Sequence, residues 1–439
     1  MRLKKCIKNI KIVTEDLITY GGIGIDEGVI QTIFSQDNCP KAEEIIDGQG
    51  LTLLPGGIDP HVHFREPSPN EREDFQTGTK SAAAGGITCI IDQPIDIPPV
   101  LDIESFNNKL EEVKPKAYTD FALWGGITKD NIENIKSLIE IGAAAFKAFL
   151  CSSDPNYPKI DDGTLYAVLK KLSGEERIIA LHAENEDIIN YNENKNLPHH
   201  LRRPEISEVE AISRALLLAE KTNANLHILH ASSAEGIKLI KNAKNKGVQV
   251  TVETCPHYLT LTKQAVENSD NNYALCNPPI RTKENLEKLW DYIKSDTIDC
   301  IVSDHSPYTY KEKEKGYPGI TGVQTSLPLM LSEGYHKRDL DLQKIVSLMS
   351  TNIAKLFGLY PKKGTISVGS DADFILVDED KKWQIKKENL YFKNKWSPFI
   401  GKEMKGKVIQ TWVRGECIYD EKKGFPQGPG YGKFHKIET

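Results

Sequence analysis

Residues 88–94, TCIIDQP, are followed at 102–113 by DIESFNNKLEEV. The first stretch is a short apolar run, rich in β-branched side chains and closed by a proline, and reads as a buried strand. The second mixes polar and apolar residues at helical spacing. Strand then helix recurs along the middle of the chain. YTDFALWGG (118–126) precedes KDNIENIKSLIEIG, and AAFKAFL (144–150) precedes GTLYAVLKKLS. RIIALHAEN (177–185) precedes SEVEAISRALLLAEKT, and NLHILHAS (225–232) precedes AEGIKLIKNAKNKG. VQVTVETCPHYL (248–259) and TIDCIVSDHSP (297–307) complete the series, with NLEKLWDYIKS between them. With LLPGGIDPHVHF (53–64) this makes about eight strands separated by helices, which favours a closed (β/α)8 barrel of the TIM type over an open sheet. No glycine-rich phosphate loop follows the first strand, as a dinucleotide fold would require. The helical stretch LDLQKIVSLMSTNIAKLFGL is expected to close the barrel.

The two ends of the chain read differently. NIKIVT, GGIGIDEGVIQTIF and EEIIDGQGLTLLPG near the start, and TISVGSDADFI and MKGKVIQTWVRGECIYD near the end, are β-branched runs punctuated by glycine. Both termini are therefore expected to build one small β-sandwich. Residues 1–52 would form its first part, 53–364 the barrel, and 365–439 its second part with a C-terminal tail.

Composition excludes several classes. The 439 residues carry a formal net charge of −6 with both signs interspersed, so no basic footprint for nucleic acid is present. No apolar run approaches the roughly 18 residues of a membrane span. The basic start lacks the apolar core of a signal peptide. Eight cysteines in a chain of this length, with no CxxC pair, read as free thiols in a reducing compartment, which places the protein in the cytoplasm.

Side chains at the C-terminal ends of barrel strands face the active site of such a fold. Here His61, His63, Lys147, His182, His230 and Asp304 each end an apolar run. Taken singly, each has a plain structural reading. A histidine is satisfied in the core, a lysine snorkels and an aspartate caps a helix. Converging on one mouth, they would be costly to bury unless divalent metal ions offset their desolvation. His61 and His63 stand two residues apart, so both imidazoles leave the strand on the same side and can grip one ion. A cationic lysine would be repelled there. Reaction of its neutral amine with carbon dioxide would give an anionic carbamate able to bridge two ions.

The chain resembles the cyclic amidohydrolases of the amidohydrolase superfamily, which include allantoinases, dihydroorotases and hydantoinases. The resemblance covers essentially the full length. It rests on DPHVHF (59–64), EDFQTGTKSAAAGGIT (73–88), FKAFL (146–150), HAEN (182–185), ETCPHYL (253–259), NPPIR (277–281) and SDHSP (303–307). It implies two divalent ions per subunit, usually zinc. His61, His63 and Asp304 would hold one, His182 and His230 the other, with Lys147 as an N6-carboxylysine bridging both. It also implies a small-molecule cyclic amide as partner, and a homodimer or homotetramer. Some relatives keep the fold, lose these ligands and serve as assembly proteins, but all six positions here carry workable residues.

Long stretches resemble allantoinases: QPIDIPP (93–99), YTDFALWGG, RPEISEVEAI (203–212), SEGYHKR (332–338) and residues 395–420. Single positions resemble dihydroorotases instead. Arg65, in HFREP, matches their carboxylate-gripping arginine, and Asn277 is shared with them. YPGITGVQ (317–324) and Asp96 also depart from the allantoinase pattern. The expected reaction is hydrolysis of allantoin to allantoate, ahead of dihydroorotase and of hydantoinase or dihydropyrimidinase chemistry. Asp304 would carry the proton, and Arg65, Asn277, His257 and Gly319 would contact the ring.

Overall fold

The computed structural model describes residues 2–36, 38–68, 71–193, 195, 197–268 and 271–438. The chain opens with β1 (Leu3–Val13), β2 (Ile18–Asp26), β3 (Val29–Ser35), β4 (Ala42–Asp47) and β5 (Thr52–Pro55). β2 and β3 form a two-residue hairpin. Glu27 and Gly28 both take positive φ, +48° and +80°, as the tight turn matching strand twist requires.

The barrel strands follow. They are β6 (Gly57–Val62), β7 (Ile87–Asp92), β8 (Asp120–Leu123), β9 (Gly125–Gly126), β10 (Phe146–Phe149), β11 (Ile179–His182), β12 (Leu226–Ile228), β13 (Val250–Thr254) and β14 (Cys300–Ile301). Every pairing among them is parallel. β8 and β9 are one strand broken at Trp124, whose indole donates to the carbonyl of Pro60 (2.8 Å). The circle closes between the last strand and the first: His63 N donates to His305 O (2.8 Å) and His305 N to His61 O (3.2 Å). The expected (β/α)8 barrel is therefore the observed one. Its strands are buried almost residue for residue, because helices cover the outside and side chains fill the inside.

The helices between strands start where a side chain can satisfy a free N–H. Asp74 accepts from Thr77 N, Asp161 from Thr164 N and Ser233 from Gly236 N. Asp102 and Ser105 cap each other reciprocally at the head of Ile103–Val113. The helical stretch 342–356 widens to π geometry over Ser347–Thr351 and packs on β6 and β14, the two strands at the seam.

β15 (Phe374–Gln384), β16 (Glu403–Val413) and β17 (Glu416–Asp420) return to the first five strands. β5 pairs parallel with β1 and antiparallel with β15, so both termini share one eight-stranded sheet. It folds over a core of Ile7, Ile12, Ile23, Ile25, Leu53, Phe374 and Trp412, like a small sandwich.

The last residues leave that sheet and run beneath the barrel. Phe121 N donates to Lys433 O (2.9 Å), and His435 N donates to Phe121 O (2.7 Å). Arg177 donates to the carbonyls of Ile437 and Glu438 (both 2.9 Å). Phe434 packs against Phe106 and Phe121, and Ile437 joins the barrel core. The tail thus seals the N-terminal end of the barrel. No described helix is long and apolar enough to cross a membrane.

Candidate metal centre

At the opposite end the strands deliver the polar residues the sequence singled out. β6 ends beside His61 and His63, whose ring centroids lie 5.3 Å apart. His61 is 5.2 Å from the ring of His230, and His230 is 4.7 Å from that of His182. Asp304 Oδ1 lies 3.3 Å from His61 Nε2 and 3.4 Å from His63 Nε2. His61, His63 and Asp304 form a compact set with the donor types a divalent ion takes. His182 Nδ1 faces His230 Nε2 at 3.0 Å, two ring nitrogens turned toward each other.

The donor set fits metal in a further respect. His61 Nε2 is buried without a hydrogen-bond partner, while its other nitrogen contacts Glu253. His182 likewise anchors its Nε2 on Glu184 Oε2 (2.8 Å), leaving Nδ1 to face His230. A carboxylate on one nitrogen fixes the tautomer and orients the other toward an ion. Burial lowers the imidazolium pKa of His63, His182 and His230, reinforced by nearby positive groups, and His182 falls to about 4. These rings are therefore neutral near pH 7, the form that binds metal.

Both anchoring carboxylates are themselves held. Arg203 reaches Glu184 through Nη2 (2.6 Å) and Nε (3.1 Å). Burial raises the Glu184 pKa, but Arg203 and His182 outweigh it and hold the carboxyl low. Glu253 accepts from His230 N (3.0 Å), and His227 Nε2 lies 3.1 Å from its second oxygen. It touches both halves of the histidine cluster. The sequence reading missed Glu184, Glu253 and Arg203. The signal was an acid within otherwise apolar strand motifs, HAEN and ETCPHYL.

Lys147 on β10 is buried at the same mouth, its amine over the face of Phe149 (4.6 Å). Burial lowers its pKa to about 8, against the pull of Asp304 and Glu253. A usable fraction of neutral amine follows at ordinary pH. Asp304 takes a left-handed conformation (φ +46°). Burial raises its carboxyl pKa against His61 and Lys147.

A cavity of about 240 Å³ opens over these residues. His63, Lys147, His182, His230 and Asp304 line it, together with Arg65, Asn277 and Gly319. Asn277 Oδ1 is buried and unpartnered. Gly319 has room for no side chain, because a Cβ would lie 2.3 Å from Ser306 O. Its N–H is committed to Leu275 O (2.8 Å), and its carbonyl accepts from Lys313 (2.9 Å). Arg65 donates to Ile95 O and Ser306 Oγ (both 3.3 Å) and faces Asp154 at 3.7 Å. The acid beside it in sequence, Glu66, turns away to Lys116 and Phe75 N. His257 does not line the cavity. It is buried beside Tyr258 behind the site.

A family model described as the amidohydrolase family matches residues 52–418. An allantoinase of Rubrobacter xylanophilus is 37% identical over 431 residues, covering 92% of this chain and 94% of the relative. One of Salmonella choleraesuis is 34% identical over 441 residues, covering 96% of each. Among solved structures, the L-hydantoinase (dihydropyrimidinase) from Arthrobacter aurescens superposes with a TM-score of 0.95 at 33% identity, covering 98% of this chain and 99% of that one. The dihydropyrimidinase from Brevibacillus agri gives a TM-score of 0.92 at 32% identity, over 100% and 99% of the two chains.

Proposed function

The chain belongs to the amidohydrolase family, and we propose that it opens the ring of allantoin with water to give allantoate. The coarser activity is metal-dependent hydrolysis of a carbon–nitrogen bond in a cyclic amide or ureide. The observation that carries the reading is the convergence of His61, His63, His182 and His230 with Lys147 and Asp304 at one barrel mouth, all but His61 lining one cavity. The full-length allantoinase relatives favour allantoin as the ring.

His61, His63 and Asp304 would hold one divalent ion and His182 and His230 a second, with zinc as the expected metal. Carboxylation of neutral Lys147 joins its Nζ to carbon dioxide and releases a proton, and the resulting anion would bridge the two. Ions bound there supply a lowered pKa for the attacking water and an electrophile for the ring carbonyl. Asp304 takes the proton of the attacking water and returns it to the leaving ring nitrogen. Asn277 offers the ring an unsatisfied amide oxygen.

Arg65 favours a second reading, dihydroorotate. Its guanidinium lines the cavity, is held only by long bonds and keeps Nε without a partner, as a site for a substrate carboxylate would. Ring-opening rates measured side by side with allantoin, dihydroorotate, hydantoin and dihydrouracil decide between them. We expect allantoin to be opened fastest, and preference for dihydroorotate would transfer the assignment.

We also infer a homodimer or homotetramer working in the cytoplasm. Eight unpaired cysteines support the compartment, and Ile18, Tyr20 and Ile33 exposed on the terminal sheet support association. Sedimentation as a monomer would remove the second inference.

A further inference from the structure

Lys109 lies on the helix Ile103–Val113, on the same face as the buried Phe106 and Val113, and is itself fully buried. Its ammonium donates to Asp96 Oδ2 (2.5 Å) and the carbonyl of Gln93 (3.0 Å) and forms an ion pair with Asp92 Oδ2 (2.6 Å). Each acceptor leads toward Arg65. Asp92 Oδ1 accepts from the backbone N–H of Phe64 (3.0 Å), the residue before Arg65. Gln93 and Asp96 flank Ile95, whose carbonyl receives Arg65 Nη1. Arg65 itself is held at φ +63°, a conformation that its neighbours must impose.

We propose that Lys109 is a positioning residue for substrate selection, its buried ammonium fixing Phe64 and segment 93–96 so that Arg65 presents its guanidinium to the ring in the cavity. The proposal rests on the reading of that cavity as the substrate site. Without the ammonium, segment 93–96 has no common anchor and the long bond from Arg65 to Ile95 has no fixed acceptor. Gln93 also donates to Val62 O (2.9 Å), between His61 and His63, so metal content per chain is measured to separate a loss of Arg65 positioning from a loss of metal. Lys109 acts only through Arg65, so its effect must vanish when Arg65 is removed.

The test uses the metal-loaded enzyme and the ring substrate it opens fastest. Lys109→Met is expected to raise KM about tenfold with kcat within about threefold, the signature of lost uniform binding. Metal content per chain should stay at the wild-type value. In an Arg65→Gln background the same substitution should change KM by less than about twofold. Because Lys109→Met strands two buried carboxylates, the paired variant Lys109→Met with Asp96→Asn is made alongside it. With both acids ionised, one ammonium against two carboxylates and one carboxylate alone carry the same formal charge, so above about pH 7 the second variant keeps the cluster's charge while losing the anchor. Unchanged KM in a folded variant overturns the proposal, as does an equal KM effect in the Arg65→Gln background. A crystal structure of the paired variant gives an arm independent of turnover. Loss of the Arg65–Ile95 bond supports the proposal, and its retention overturns it. A wild type that opens none of the rings would refute the proposed function and leave this arm to decide the positioning role.

Discussion

The two ends of the barrel hold the same residue types and treat them oppositely. At the N-terminal end, Asp120, Asp371 and His435 lie close enough to hold an ion. There, however, Lys363 donates to Asp120 (2.7 Å), Asp371 (3.1 Å) and Asp373 (2.5 Å). Arg414 also reaches Asp120, and His435 Nε2 lies 3.0 Å from it. Protein cations compensate the acids, and the cluster ties β8 to the terminal sheet and the tail. At the C-terminal end, His61 Nε2, His63 Nδ1, His230 Nδ1, Arg65 Nε and Asn277 Oδ1 are buried without a hydrogen-bond partner. Buried polar groups are rarely left so. Residue type alone does not distinguish a clamp from a reactive site. Whether the polar valences are closed by the protein or left for something else does.

That contrast can be broken at either end. The largest effect is expected from Asp304→Asn, which should lower turnover by about 10²–10⁴-fold while leaving the melting temperature near the wild-type value. Near-normal turnover of this variant would remove Asp304 as the proton carrier. Lys363→Met should do the reverse. It strands a buried group of carboxylates and should cost about 3–5 kcal/mol in denaturant unfolding, with turnover per folded molecule preserved. Loss of turnover without loss of stability would mean that the lower cluster is no mere clamp. Glu253→Gln sharpens the comparison within the upper site. Weakening the anchor of His61 should lower metal affinity about 10–100-fold, read by competition with a chelator. An unchanged affinity would leave Glu253 a packing role only.

The smallest expected effect concerns Asp96. Burial raises its carboxyl pKa to about 7, with Lys109 pulling down and Asp92 pushing up. The native carboxyl then keeps a proton that the unfolded one releases. Its contribution to stability is present below about pH 4 and is lost as pH rises toward 7. Asp96→Asn should therefore lose less stability than the wild type between pH 5 and pH 8. Parallel urea midpoints at both pH values would contradict this.

Much of this was legible in the sequence because the barrel repeats its grammar. Five of the apolar strand runs carry a chemically active residue at or near their end, and His61, His63, Lys147, His182, His230 and Asp304 do meet at one mouth. What was hidden depends on partners distant in sequence. Glu184 and Glu253 stand inside recognisable motifs, but their bonds to His182 and His61 exist only once strands are laid side by side. Lys109 stands on the apolar face of its helix, between Phe106 and Val113, and the acids that offset its burial lie 13 and 17 residues earlier. The tail, GPGYGKFHKIET, is glycine-rich and polar, so a handful of aromatic and aliphatic anchors sealing the barrel left little pattern to read. His257, also within a motif, sits on the short helix after β13, buried beside Tyr258 with Nε2 lacking a hydrogen-bond partner, and is not among the residues lining the cavity.

The most direct test of the account is the metal content of the purified, active protein. About two divalent ions per chain are expected, with ring-opening activity lost on chelation and restored by zinc. Full activity from protein stripped of metal would contradict it.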